Sequence, residues 1–242
     1  MGFQGNTGIL GCTMNLKTAR ETFPAIYAGI KSQSPPHHFE FKDPFWVLIT
    51  TIMSHRTKDE VTDVAARNLY NRYADATGLS QAKYEDVYGL ISRVGFATVK
   101  ARRVIDAAAI IRDRYGGKVP DTVEELTVIP GVGRKTANVV LADALGKPAI
   151  AVDTHVHRIS NRIGWSNSKN PDETEQDLRK IVPVEYWLGF NPILVEFGKK
   201  ICRPIGPKCS ECLVSSYCRY FRESQEKQNV KPADKTIKRA KK

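Results

Sequence analysis

No apolar run in the sequence approaches the length of a membrane-spanning helix, and no basic-then-apolar leader opens it. Neither a membrane partner nor secretion is therefore expected. Acidic residues run short, 26 against 37 Lys and Arg, so the 242 residues carry a formal charge of +11. That balance points to a polyanionic partner without identifying it. Alternating, strand-like patterning is nearly missing, which disfavours a sheet-based fold. Cysteine is sparse, five residues in all, and its placement rather than its number is informative. The remaining composition, 41% apolar and 26% charged, is that of a soluble globular chain. Its length suffices to bury a core in one large domain or two modest ones.

The two ends differ from the body. Residues 1–13, MGFQGNTGILGCT, are glycine-rich and weakly patterned, and read as a flexible start. From Arg222 to Lys242, eight Lys or Arg stand against three acids, so this stretch supplies +5 and leaves +6 on the body. It has no aromatic residue and little apolar content, and reads as a disordered tail. It serves either to solubilise the chain or to add electrostatic affinity for nucleic acid.

Between these ends the pattern is helix after helix, and the expected class is all-α. DPFWVLITTIMS begins after a turn signal and reads as a buried helix. KDEVTDVAARNLYNRY places Val61, Val64, Ala65, Leu69 and Tyr73 near a helical repeat. TVKARRVIDAAAIIRDRY stops at Gly116-Gly117. Thr122-x-x-Glu125 is a capping-box pattern opening a short helix. The turn IPGVG follows, and then a helix predicted to reach about Leu145. HVHRISNRI, TEQDLRKIV and NPILVEFGKKI add later helices.

The stretch from Val123 through the IPGVG turn is thus a helix-hairpin-helix. Gly131 and Gly133 permit a tight turn, and with Arg134 at the next helix start they form a candidate grip on a DNA phosphate. A plain αα-hairpin is the alternative. Lys135, just inside that helix, faces the positive end of the helix dipole. Field and burial would both lower its pKa toward a neutral, nucleophilic amine. A lysine that simply touches phosphate explains the position equally well. Asp153, in AIAVDTHVHRISNRI, is an N-cap candidate. It is also a carboxylate able to stabilise positive charge on a sugar while an amine attacks the anomeric carbon.

Four cysteines crowd into CRPIGPKCSECLVSSYC: Cys202, Cys209, Cys212 and Cys218, in the spacing C-x6-C-x2-C-x5-C. Four thiolates in so short a loop suit a zinc ion or an iron–sulfur cluster, and spacing alone does not separate the two. Cys12 stands apart and reads as an inert thiol.

LTVIPGVGRKTANVVL, AVDTHVHRISNR and the four-cysteine loop, in that order, resemble endonuclease III of the helix-hairpin-helix DNA glycosylase superfamily, over about Phe45 to Tyr220. The resemblance implies a DNA glycosylase and abasic-site lyase that removes oxidised pyrimidines from double-stranded DNA. Lys135 would be its Schiff-base nucleophile, Asp153 its assisting carboxylate, and the four cysteines the ligands of a [4Fe–4S] cluster. It also implies a helical barrel domain at 38–149 and a cluster domain of 14–37 with 150–221, with the catalytic cleft between them. Arg203 and Lys208 become candidate phosphate contacts, and His155 a candidate to orient Asp153. The expected form is a monomer in the cytoplasm or nucleoid, or in a eukaryotic nucleus. Two departures stand out. Arg56 in MSHRTKD replaces a familiar glutamine that fills the space left by a flipped base, and Phe96 in RVGFATVKA replaces a familiar leucine wedge. The alternatives are a non-catalytic DNA-binding module with structural zinc, and a monofunctional mismatch glycosylase, which the presence of Lys135 disfavours.

Overall fold

The computed structural model describes residues 13–35 and 41–229. Residues 1–12, including Cys12, and the tail beyond 229 lie outside the described residues. Among those described there are twelve α-helices and no strand, as the all-α expectation requires. In chain order they are α1 (Leu16–Gln33), α2 (Pro44–Ser54), α3 (Asp59–Tyr73), α4 (Ala76–Ser80), α5 (Tyr84–Ile91), α6 (Ala97–Tyr115), α7 (Val123–Thr127), α8 (Arg134–Val139), α9 (Thr154–Ile163), α10 (Pro171–Ile181), α11 (Phe190–Lys200) and α12 (Arg219–Asn229). No helix among the described residues is long and apolar enough to cross a membrane.

The chain divides into two units. One holds 41–153 together with Pro183–Pro192. At its centre is α2, buried without interruption from Phe45 to Met53. Asp43 starts this helix by accepting hydrogen bonds from the Phe45 and Trp46 amides, and Pro44 presets its first turn. Helices α3, α6 and α8 pack on α2, and α4 and α5 pack on α6. Leu48, Ile52, Leu69, Leu79 and Ile111 sit in the shared core with no more than 1% exposure, and each such side chain contributes roughly 1.5–3 kcal/mol by leaving water. Helix α6 ends on Gly116 at φ 59°, a left-handed cap that lets the Gly117 amide reach back to the Ile111 carbonyl at 2.9 Å.

The other unit holds 13–35, Thr154–Val182 and 193–229. Here α1 packs on α10, and α9 packs on α10 and α12. The Phe23 and Trp165 rings lie 5.3 Å apart, and Gly29 admits Val214 so closely that a Cβ there would sit 2.7 Å from its Cγ1.

Three differences from the sequence reading appear. The helix expected to run to about Leu145 is α-helical only to Val139 and continues as a π-helical turn over Val140–Ala144. Pro183–Pro192 groups with the first unit, where the Asn191 side chain donates to the Ala151 carbonyl at 3.0 Å. The tail is not disordered from Arg222 onward, because α12 runs through Asn229. That helix is anchored on α9 and carries an Arg219–Glu223 pair one turn apart.

Candidate active site and cysteine loop

The hairpin is built as its residues dictate. Thr122 caps α7 through its hydroxyl, which accepts from the Glu125 amide and donates to the Glu125 carboxylate at 2.8 Å. The Val132 amide then closes the turn on the Ile129 carbonyl at 3.0 Å. Gly131 has φ +86°, and a Cβ there would meet Arg103 Cδ at 3.0 Å and Ile52 Cγ2 at 3.3 Å, so both conformation and packing demand glycine. Gly133 differs from the expectation. Its φ is −97°, which any residue adopts, and the space where a Cβ would stand is open. Arg134 and Lys135 follow as the first residues of α8.

Lys135 is partly buried, and burial holds its pKa below the ordinary lysine value. Asp153, then Asp143 and Asp59, oppose that shift by favouring the ammonium. Desolvation is therefore the leading cause, and the carboxylate named with Lys135 from sequence is the largest charge acting on it. Asp143 reaches the site from the π-helical turn, and Asp59 from the start of α3. The path to Asp153 is fixed from both sides. The Asn138 amide donates to the Ile150 carbonyl at 3.0 Å, Asn191 holds Ala151, and Ala149 through Val152 are all buried.

Sequence reasoning missed His55, which ends α2. Its Nε2 lies 3.1 Å from the Thr136 hydroxyl, on the residue after Lys135. Burial first, then Lys135, Lys100 and Arg103, lower its pKa and favour the neutral ring. Arg56 and Phe96 are both exposed, both in the left-handed region (φ 53° and 60°), and the Arg56 guanidinium lies 5.7 Å from the Phe96 ring centre. His155 Nδ1 lies 3.1 Å from Arg158 Nη2, and Arg158 donates in turn to the Gly198 and Cys202 carbonyls.

All four loop cysteines line one cavity of about 30 Å³, together with apolar Ile159, Ile163 and Phe197. Each is unpaired by disulfide. Arg162 clasps the loop: Nη1 donates to Cys202 Sγ at 3.4 Å and to the Arg203 carbonyl at 2.6 Å, and the guanidinium covers the Tyr220 ring at 4.6 Å. Gln33 of α1 holds the far side through the Glu211 carbonyl and the Leu213 amide. Burial, with the neighbouring sulfurs adding to it, pushes the thiols of Cys209, Cys212 and Cys218 up, the last to about 11. Bound cations reverse that preference, since a coordinating thiol is deprotonated. The four sulfurs thus share one apolar-lined cavity. An all-sulfur donor set of this kind fits an iron–sulfur group or a tetrahedral metal ion. Arg203 is exposed, whereas Lys208 is paired with Glu211 at 2.9 Å.

The family described as HhH-GPD superfamily base excision DNA repair protein matches residues 49–184. The chain is similar to endonuclease III of Thermotoga maritima, with 48% identity over 193 residues, 80% of this chain and 90% of that one. It is also similar to the Bos taurus endonuclease III-like protein 1, 40% identical over 72% of this chain and 58% of that protein. Among solved structures, a trapped endonuclease III–DNA covalent intermediate superposes with a TM-score of 0.78 at 32% identity, covering 85% of this chain and 98% of that one.

Proposed function

Because the chain belongs to the endonuclease III family within the HhH-GPD superfamily of base excision DNA repair proteins, we propose that it is a bifunctional DNA glycosylase and abasic-site lyase acting on oxidised pyrimidines in double-stranded DNA. The observation that carries the reading is the Lys135 amine, held toward its neutral form by burial with Asp153 as its strongest carboxylate neighbour.

In this mechanism the damaged nucleotide leaves the stack, and the Lys135 lone pair attacks C1′. The bond from C1′ to the base breaks, and its electron pair departs with the base. Asp153 stabilises the positive charge that develops on the sugar. The nitrogen then loses a proton, the C1′–O4′ bond breaks with its electron pair going to O4′, which takes up a proton, and a protonated imine forms. Removal of a C2′ proton then expels the 3′ oxygen by β-elimination, cutting the strand on the 3′ side. The hairpin at Gly131, Gly133 and Arg134 holds the backbone, with Arg203 adding phosphate contact and Lys208 doing so after releasing Glu211. Cys202, Cys209, Cys212 and Cys218 would hold a [4Fe–4S] cluster, which supplies order to a loop with little apolar content of its own.

Borohydride added during reaction with a thymine-glycol duplex should trap a covalent protein–DNA adduct. Lys135→Gln should abolish trapping and strand cleavage and leave duplex binding in place. Undiminished trapping by that variant would assign the nucleophile to another amine.

A further inference from the structure

Lys100 is, among the described residues, the buried cation that the proposed chemistry leaves unused. It is 3% exposed, on the first turn of α6. Its ammonium donates to the Met53 carbonyl at 2.7 Å, to the His55 carbonyl, and to the Thr57 hydroxyl at 3.0 Å. These three acceptors bracket Arg56. Its backbone amide donates to the Phe96 carbonyl at 3.1 Å. The side chain therefore holds the Arg56 loop from the first turn of the helix that Phe96 opens.

Those loops need holding. Among the described residues only three non-glycine positions have positive φ, and Arg56 and Phe96 are two of them. Each such backbone costs on the order of 1–3 kcal/mol and persists only where its surroundings over-determine it. The surroundings here are specific. Thr57 Oγ1 accepts from the Gly95 amide at 3.1 Å as well as from Lys100, and a Cβ at Gly95 would lie 2.5 Å from the Arg56 carbonyl oxygen. The close approach of the two loops thus rests on a glycine and on a buried lysine amine that fixes Thr57.

We propose that Lys100 is a positioning residue for base extrusion, locking Arg56 and Phe96 together as one element that fills the vacated space in the duplex. The inference rests on the repair reading above and deepens it. Held apart, an arginine and a phenylalanine would each order on insertion. Held as a stacked pair, they enter with that ordering already complete.

The test compares two substrates under single-turnover conditions. A thymine-glycol duplex requires a base to be driven from the stack, whereas a preformed abasic site does not. Lys100→Met keeps the aliphatic stem and removes the donors. It should slow excision from thymine glycol by about tenfold or more, with trapping on the abasic site slowed less than about threefold. With 2-aminopurine beside the lesion in a Lys135→Gln background, Lys100→Met should reduce the fluorescence rise that reports unstacking. Arg56→Ala should cost less in the Lys100→Met protein than in the parent, because the two act together. Equal loss on both substrates, or independent effects of Lys100→Met and Arg56→Ala, would overturn the inference. Should Lys100→Met not fold, Thr57→Val, which deletes a single shared acceptor, decides the question by the same ratio. A parent protein inactive on both duplexes would instead overturn the repair reading, and this inference with it.

Discussion

The Asn138 side-chain amide donates to the Ile150 carbonyl at 3.0 Å, and so ties the helix carrying Lys135 to the extended run that ends at Asp153. Asn138 is 1% exposed and Ile150 fully buried, so water is a poor substitute for either partner. Asn138→Leu should lower the free energy of unfolding by about 1–3 kcal/mol, the cost of an unsatisfied buried carbonyl. It should also slow base excision, because the spacing of amine and carboxylate is no longer enforced. Urea unfolding and single-turnover excision measure the two effects. Unchanged excision in a destabilised protein would show that Asp153 is held by other contacts.

The Lys135 amine lies below its ordinary value of 10.5, and the sign of its pH dependence follows. Its neutral, attacking form accumulates as pH rises, so trapping at saturating DNA should climb through a midpoint below 10.5. A midpoint at the free-lysine value would mean that burial does not prepare the amine.

Lys100 gives a parallel expectation for stability, with its pKa brought from 10.5 down to about 8 by burial first and by Arg103 second. Between these values the unfolded chain holds the proton that the folded chain has lost, so raising the pH favours folding. The stability associated with Lys100 is complete above about 10.5 and is lost as pH falls through about 8. The urea midpoint of the parent relative to Lys100→Met should therefore rise across this window. A constant difference would place the folded and unfolded pKa values together.

The helices readable from sequence are those whose signals are local. Helix α2 has its Asp-Pro start, α6 its Gly-Gly stop and α7 its capping box, and each of these acts within a few residues. Lys135 and Asp153 were singled out because their chemistry is distinctive, and Asp153 is the carboxylate acting most strongly on that amine. Lys100 was not, since VKARR looks like a solvated basic face. Its burial comes from carbonyls 45 and 47 residues away that need a donor. The π-helical turn carrying Asp143 leaves no trace in composition, and Gly133 resembles Gly131 until their φ values are compared. Helix α1 passed unread despite the spacing of Ala19, Phe23, Ile26, Tyr27 and Ile30, a usable signal interrupted by Pro24. The short helices α4 and α5 likewise carry too few turns to show a period.

The two hairpin glycines separate folding from binding. Gly131→Ala forces a Cβ into a positive-φ position against Arg103 and Ile52, and should cost about 1–3 kcal/mol of stability. Gly133→Ala meets open space at φ −97° and should change stability by no more than about 0.5 kcal/mol. Both should weaken binding to undamaged duplex across sequences, the second because a methyl group occupies the space through which a phosphate approaches the backbone. Binding by Gly133→Ala at the parent level would remove Gly133 from the DNA interface.

The cysteine loop carries the last expectation. Protein prepared without oxygen should contain about four iron atoms per chain and absorb broadly near 400 nm, as four thiolates around one cluster require. Replacing any of Cys202, Cys209, Cys212 or Cys218 by Ala should lower the iron content. It should also expose the loop to protease, since the clasps from Arg158, Arg162 and Gln33 are then left to hold a segment with Ile205 and Leu213 largely exposed. Cys12→Ser should leave the metal unchanged. Iron loss should weaken DNA binding through disorder at Arg203 and Lys208, while the pKa of the Lys135 amine, set by burial beside Asp153, should stay where it is. Zinc alone in carefully prepared protein would replace the cluster with a structural ion. Full protease resistance after iron removal would show that the side-chain clasps suffice to order the loop.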